Sequence, residues 1–157
     1  MAEMPEHQID GSKIYRVTIT TDKGPIVMDL DPQLAPNTVN NFVGLARQGY
    51  YDGLTFHRVV PDFVIQGGCP EGTGRGGPGY KFRDEEVKGD YTLGAVAMAN
   101  AGKHTNGSQF FICIDDCQRK LTKDYNLFGY VVEGMDTALG VQVGDVMRTV
   151  AVEERDR

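Results

Sequence analysis

The segment Phe56–Cys69 contains the residue types with the clearest chemical potential in the chain. It reads Phe-His-Arg-Val-Val-Pro-Asp-Phe-Val-Ile-Gln-Gly-Gly-Cys, so that β-favouring residues are interleaved with Arg58, Phe63 and Gln66. On one face of a sheet, these three side chains would place a guanidinium and an amide beside an aromatic wall. Such a surface can hold an apolar ring and hydrogen-bond the amide next to it. That chemistry needs neither a general base nor a thiolate.

Hydrophobic periodicity predicts the elements that position this segment. Tyr15, Val17 and Ile19 alternate with polar residues and predict a strand, which the turn at 22–25 joins to a second strand at 26–30. A helix is predicted over 36–48, since proline at 36 is favoured at the first position of a helix and glycine at 49 is favoured directly after its C-terminus. Further strands are predicted at 55–60, 63–66, 91–100, 109–114, 126–132 and 146–152, and a short second helix at 133–143.

The length and the glycine content point to one β-rich domain. A chain of 157 residues fits a single domain, here 1–157 with about residues 1–13 as an N-terminal extension. Twenty glycines indicate many turns. Eight short strands with two helices therefore predict an all-β fold, namely a closed eight-stranded antiparallel barrel capped by the helices.

Charge and composition exclude several classes of function. A net charge of −6 argues against nucleic acid as a partner, and no apolar stretch is long enough to span a membrane. The N-terminus shows no secretory signal, and three cysteines without zinc-like spacing indicate reduced thiols in a cytoplasmic protein, although Cys113 and Cys117 could form a redox pair. We expect no metal and no cofactor. We also expect a monomer, because no exposed apolar stripe is apparent.

Two downstream segments each allow two interpretations. The glycine-rich residues 72–79 superficially resemble a phosphate cradle, but the Gly-Lys-Ser/Thr ending of a P-loop is missing and no helix pattern follows. A surface loop is the favoured interpretation, with nucleotide binding as the alternative. Residues 98–111 combine small side chains with Asn100, as a peptide-binding edge requires, or they form an ordinary strand–loop–strand.

Taken together, these segments resemble the cyclophilins, the cyclosporin-binding family of peptidyl-prolyl cis–trans isomerases. The segment from Phe56 to Gly68 matches the family's signature, and Met98–Gly102 with Asn106–Ile112 matches its second block. Leu127-Phe-Gly-Tyr-Val is similar to the third block. The resemblance runs in order from about residue 14 to residue 152. It implies an eight-stranded antiparallel barrel with two capping helices and isomerase activity on X-Pro bonds.

The resemblance also implies roles for individual residues. Arg58 is similar to the family's catalytic arginine, while Phe63, Phe111 and Leu121 are similar to the walls of the proline pocket. Gln66 and Asn100 match residues that hydrogen-bond the substrate and position the arginine. The remaining implied substrate-binding residues are Val64, where the family often has methionine, and Ala99, Ala101, Gln109 and Tyr125. A secondary pocket for the residue before the dipeptide is implied at Thr73, Lys81, Thr105 and Ser108.

Two departures from the family pattern concern the drug rather than the reaction. Many members carry a tryptophan just before the position of Leu121, where this chain has Arg119-Lys120 and no tryptophan at any position. That indole donates a hydrogen bond to cyclosporin, so binding of the drug is expected to be weak. Tyr125 replaces a frequent histidine and keeps an aromatic wall.

The leading hypothesis is a cofactor-independent prolyl isomerase that assists protein folding by acting on proline-containing peptides or unfolded segments. A non-catalytic module that binds such segments in the same groove is the alternative from another class.

Overall fold

The computed structural model describes residues 2–157, so that Met1, the first residue of the predicted extension, lies outside the described residues. Within this range the chain forms eight strands and two helices. The strands are β1 (Lys13–Thr21), β2 (Gly24–Leu30), β3 (Phe56–Val60), β4 (Val64–Gly67), β5 (Ala95–Met98), β6 (Phe110–Cys113), β7 (Leu127–Glu133) and β8 (Thr149–Asp156). The helices are α1 (Pro36–Arg47) and α2 (Met135–Leu139).

The first hairpin and the first helix lie where their sequence patterns predict. β1 and β2 pair antiparallel, with Tyr15 opposite Leu30 and Ile19 opposite Ile26. Helix α1 begins at Pro36, and Gly49, with a φ of +76°, turns the chain away after it. At the other end of the helix, a carboxylate from a distant loop replaces a local cap, because Glu85 Oε1 accepts a hydrogen bond from the Thr38 amide at 2.7 Å.

All eight strands belong to one antiparallel sheet in the order β3-β4-β6-β5-β7-β2-β1-β8. The sheet curls into a half-barrel, and the prediction of a closed barrel is wrong. β8 begins at Thr149 and pairs with β1, whereas the segment before it meets the residues before β3 through the isolated bridge of Thr55 with Val146. This contact, with its backbone hydrogen bonds, is confined to residues 53–56 and 144–147. It leaves the edges of β3 and β8 without a continuous ladder between them, and closure requires such a ladder.

Three predicted elements differ in extent from those observed. The strand predicted at 91–100 is regular only from Ala95 to Met98, since a turn with a 3.0 Å hydrogen bond from Ala95 N to Thr92 O precedes it. β8 starts later than predicted and continues to Asp156, because pairing with β1 satisfies its backbone even where its side chains are charged and exposed. The second helix is shortened to the five residues between Gly134 and Gly140.

The curled sheet separates two clusters of buried side chains. The larger cluster lies between the sheet and α1 and includes Phe42, Phe56 and Phe110. The smaller cluster includes Val64, Phe111, Cys113 and Leu127, and partly buried residues such as Phe63, Leu121 and Tyr125 pack against it. The second cluster therefore combines a buried base with side chains that reach the surface.

The residues before β1 lie along α1. Asn40 Oδ1 accepts a 2.8 Å hydrogen bond from the Gln8 backbone amide. Pro5 packs so closely on Gly44 that a Cβ added to Gly44 would lie 2.2 Å from the Cβ of Pro5. In the described part of the chain, no helix is long and apolar enough to cross a membrane.

Candidate functional site

An irregularity in β3 decides which of its side chains faces the site. Phe56 pairs with Gly67, but the register then shifts, so that Arg58 rather than His57 lies opposite Gln66. Such a β-bulge sets two residues of one strand against one of its partner and re-aims the side chains that follow. Phe56 is buried in the larger cluster and Val59 packs against that cluster, while Arg58 is exposed on the opposite face.

A row of paired residues crosses three neighbouring strands at this point. Arg58 on β3 lies opposite Gln66 on β4, which in turn lies opposite Phe111 on β6. Paired residues on one face of a sheet have neighbouring side chains. The sheet thus brings together the guanidinium, the amide and an aromatic ring that the sequence pattern identifies.

Hydrogen bonds fix the guanidinium and the amide relative to each other. Arg58 Nη1 donates to Gln66 Oε1 at 3.1 Å, and Gln66 Nε2 donates to Gln109 Oε1 at 3.1 Å. Gln109 Nε2 donates in turn to the carbonyl oxygens of Gly74 at 2.9 Å and Gly76 at 3.0 Å. The arginine is therefore linked through two glutamines to the glycine-rich loop.

Beside this row lies an open cavity of about 500 Å³, in which polar side chains face an apolar wall. Phe111, only 4% exposed, meets the Tyr125 ring edge-on at 5.6 Å between centroids. Phe63, Val64 and Leu121 complete the apolar lining. The predicted site residues found in this cavity are Arg58, Phe63, Val64, Gln66, Thr73, Ala99, Asn100, Phe111, Leu121 and Tyr125.

Backbone contacts hold the two outer walls of this cavity in place. The corner before Phe63 contains Asp62 in a left-handed conformation with a φ of +59°, which is uncommon for a residue with a side chain. The Phe63 carbonyl accepts hydrogen bonds from Ile114 N at 2.9 Å and from the Cys117 thiol at 3.3 Å. Leu121 N donates to Cys117 O at 3.1 Å, so that Cys117 supports both walls.

A second cavity, of about 930 Å³, is contiguous with the first, because Gln66, Gly74, Ala99 and Asn100 line both. The predicted residues Ala101, Gln109, Lys81, Thr105 and Ser108 lie in its lining. Thr73 lines the first cavity, although the resemblance places it in the secondary pocket. Ser108 offers no free hydroxyl, since its Oγ donates to Gly68 O at 2.7 Å and contacts Tyr50 Oη at 3.0 Å.

Asn100 lies between the two cavities, and its amide links its own loop to the segment between β6 and β7. Its Nδ2 donates to Asp124 O at 2.9 Å, and its Oδ1 accepts from Gly102 N at 3.1 Å. Ala101 N donates to Thr105 Oγ1 at 2.8 Å, which closes the same loop. In this structure the amide of Gln66, not that of Asn100, contacts the guanidinium.

Two titratable groups next to the row have shifted pKa values. Burial lowers the pKa of His57, and the neighbouring Arg58 charge lowers it further, so both effects favour the neutral imidazole. At Cys69, burial acts to raise the pKa, but backbone N–H groups of Glu71, Gly74, Gly76 and Thr73 outweigh burial and lower it. Gly76 N lies 3.3 Å from this sulfur, which therefore anchors the glycine-rich loop.

The glycine-rich loop is the part of the site that pattern reasoning underestimated. Gly74 lines both cavities, and Arg75, Gly76 and Glu71 line the second, whereas the residue pattern predicted a surface loop at 72–79 and the resemblance assigned a role there to Thr73 alone. His57 also lines the first cavity. Among residues 2–157, no group of three or more metal-ligating side chains clusters. The loop is followed by further irregular chain rather than by the helix that a phosphate cradle needs.

Comparisons with known proteins agree on one family. The family model described as cyclophilin type peptidyl-prolyl cis-trans isomerase matches residues 16–157. The chain is similar to peptidyl-prolyl cis-trans isomerase B of Bacillus subtilis (strain 168), with 51% identity over 134 residues that cover 84% of this chain and 93% of that protein. It is also 41% identical to a peptidyl-prolyl cis-trans isomerase of Helicobacter pylori (strain ATCC 700392 / 26695) over 152 residues, which cover 94% and 91% of the two chains.

Solved structures show the same fold. The crystal structure of a cyclophilin type peptidyl-prolyl cis-trans isomerase from Cryptosporidium parvum superposes with a TM-score of 0.82 at 30% identity, and the match covers 89% of this chain and 98% of that one. A second crystal structure of that protein, determined in the presence of the dipeptide Ala-Pro, gives a TM-score of 0.81 at 31% identity and covers 88% and 98%.

Proposed function

The chain belongs to the cyclophilin-type peptidyl-prolyl cis–trans isomerases, and we propose that it accelerates rotation about X-Pro bonds by means of Arg58 and an apolar proline pocket. The observation that carries this proposal is the row of Arg58, Gln66 and Phe111 across β3, β4 and β6. This row sets a charged donor beside a cavity that can accept a proline ring.

The barrier to be lowered is electronic in origin. Rotation about a peptide bond costs about 18–20 kcal/mol, because the C–N bond has partial double-bond character. Twisting the bond localises the lone pair on the prolyl nitrogen, which then accepts a hydrogen bond that the planar amide cannot. A donor aimed at this nitrogen, or at the neighbouring prolyl carbonyl, therefore stabilises the twisted state more than either planar state.

Arg58 is suited to be this donor. Its guanidinium stays charged at any working pH and donates a hydrogen bond to Gln66 at 3.1 Å, while its exposed position leaves other N–H groups accessible. A hydrogen bond to a charged group contributes roughly 1.5–3 kcal/mol. At about 1.4 kcal/mol per tenfold change, this accounts for one to two decades of rate. Arg58 alone is thus insufficient.

The remaining acceleration is assigned to the apolar cavity. Phe63, Phe111 and Leu121 would grip the proline ring while the carbonyl on the other side of the bond rotates. Holding one end of the rotating bond lowers the entropic part of the barrier, and a proline ring bound against the apolar wall displaces water from beside the charged donor. Neither effect requires a cofactor.

We further propose that the natural substrates are unfolded or flexible segments, so that the activity assists folding. The two cavities open to the surface, and an extended segment can enter them where a packed X-Pro bond cannot. Three buried thiols, at Cys69, Cys113 and Cys117, fit a reducing compartment, and we assign the activity to the cytoplasm on that ground.

Refolding kinetics test the folding role. For a protein whose refolding is limited by X-Pro isomerisation, with relaxation over tens to hundreds of seconds, catalytic amounts of the chain are expected to shorten the slow phase. Arg58→Ala serves as the control and is expected to shorten it far less. Faster exchange in a short peptide combined with an unchanged slow phase would contradict the folding role and leave the isomerase mechanism intact.

Cyclosporin inhibition is expected to be weak. The chain has no tryptophan, and Lys120 precedes the pocket residue Leu121 where an indole donor would be needed. A titration of the exchange rate at equal concentrations of drug and protein is expected to leave most of the activity. Lys120→Trp, which places an indole beside Leu121, is expected to increase inhibition. Complete inhibition of the wild-type chain at a 1:1 ratio would contradict the expectation.

A further inference from the structure

The two contiguous cavities are lined by positive side chains, in a chain whose net charge is −6. Arg58 lines the first cavity, and Arg75 and Lys81 line the second. The carboxylate in these linings is that of Glu71. The two cavities together are thus lined by three cations and one carboxylate, so their net charge is opposite in sign to that of the whole molecule.

These three cations have no carboxylate partner in the described part of the chain, as is true of nine of the sixteen Lys and Arg side chains. Within residues 2–157, seven Lys or Arg side chains form salt bridges, and none of the seven is Arg58, Arg75 or Lys81. An unpaired charge at the mouth of a cavity is available to a ligand, because no intramolecular partner has to be displaced first.

The backbone that carries Arg75 and Lys81 is anchored on both sides of the second cavity. Arg75 N donates to Thr73 Oγ1 at 3.2 Å, and the adjacent Gly74 and Gly76 carbonyls accept from Gln109. Next to Lys81, Phe82 N donates to Asn106 O at 2.9 Å. Two exposed, long side chains therefore project from fixed positions around one cavity, and their charged ends can converge on a group inside it.

We propose that this chain selects X-Pro segments with an acidic residue immediately before the X-Pro dipeptide, and that Arg75 and Lys81 determine this preference. The proposal rests on the proposed function, which places the proline ring in the first cavity, and on the family resemblance, which implies that the residue before the dipeptide lies in the contiguous second cavity. A carboxylate there meets two cations in a cavity of about 930 Å³. Glu71, the opposing charge, disfavours such a residue but is outnumbered.

The expected preference is modest, since the groups are exposed. Ion pairs between exposed groups are weak, and they correspond to about a two- to fivefold preference in kcat/KM for the acidic peptide. Salt screens such pairs, with a Debye length of about 10 Å at 0.1 M ionic strength. An acidic peptide is therefore expected to exceed its neutral analogue by about this factor in kcat/KM at low salt, with the difference shrinking as salt is added.

The experiment compares exchange rates by NMR for three peptides that differ only before the dipeptide: acetyl-Glu-Ala-Pro-Ala-amide and its Gln and Lys analogues. A fourth peptide carries Glu after proline instead. For the wild-type chain, kcat/KM is expected to be highest for the Glu peptide, lower for the Gln peptide and lowest for the Lys peptide. Charge reversal with Arg75→Glu and Lys81→Glu together is expected to invert the order of the Glu and Lys peptides.

The matched control reverses two cations that line neither cavity, Lys88→Glu with Arg155→Glu, and so changes the net charge equally. It is expected to keep the wild-type order. Equal rates for the first three peptides, or a preference for the Lys peptide, would overturn this inference alone. A preference that survives Arg75→Glu and Lys81→Glu would overturn the roles of these residues. Absence of exchange with every peptide would instead overturn the proposed function.

Discussion

Replacing Arg58 with alanine is expected to lower kcat/KM for X-Pro exchange by about 10- to 100-fold, since one hydrogen bond to a charged group contributes roughly 1.5–3 kcal/mol. The bond is made to the twisted state and not to the planar amide, so kcat should fall in parallel with kcat/KM. The measurement is NMR exchange on a proline peptide across substrate concentrations.

Stability controls make this result specific. Arg58 is exposed and is hydrogen-bonded to Gln66, so Arg58→Ala should leave the melting temperature nearly unchanged. Arg58→Lys keeps the charge but loses the planar set of guanidinium donors, so its kcat/KM should lie between those of the wild type and Arg58→Ala. Arg155→Ala removes an arginine from β8, outside both cavities, and should retain full activity. An Arg58→Ala variant as fast as the wild type would refute the arginine mechanism.

Replacing Phe111 with alanine is expected to reduce both activity and stability. The ring forms one wall of the first cavity and is nearly buried against Tyr125. Loss of its apolar contact with the proline ring, worth about 1.5–3 kcal/mol, corresponds to about a 10- to 100-fold decrease in kcat/KM. Loss of a buried phenylalanine should also lower the free energy of unfolding by about 3–5 kcal/mol.

The adjacent residue supplies the control. Phe110 lies on the opposite face of β6, in the larger cluster, where its ring centroid is 5.3 Å from that of Phe42. Phe110→Ala is expected to destabilise the fold to a similar degree while kcat/KM of the folded protein changes little. Where the alanine variants do not fold, Phe111→Leu and Phe110→Leu allow the same comparison. Equal losses of activity at the two positions would mean that Phe111 acts only through stability.

The sequence predicted most of the fold because local patterns determine it. The hairpin of β1 with β2 followed from alternation and a glycine turn, and α1 followed from its apolar spacing between Pro36 and Gly49. The extents of β5 and β8 were less predictable, since they depend on pairing with strands distant in the chain. Closure of the barrel also depends on long-range pairing, and that prediction was wrong.

Within the site, the sequence by itself determined the residue types. Arg58, Phe63 and Gln66 stand close together in the chain, and their chemistry was apparent from that spacing. The downstream residues Phe111 and Leu121 could be assigned only through the family resemblance. Their contact with the signature segment comes from strand pairing and from the Cys117 hydrogen bonds, which a local pattern does not encode.

Tertiary structure alone decided the side to which Arg58 points. Strict alternation would place Arg58 on the same face as Phe56, inside the core, because side chains two residues apart share a face. The bulge at His57 rotates Arg58 to the face of Gln66 and Phe111 instead. The glycine-rich loop acquires its role in the same way, since its carbonyls meet Gln109 only when the sheet is assembled. Sequence therefore supplies the functional groups, and long-range pairing orients them.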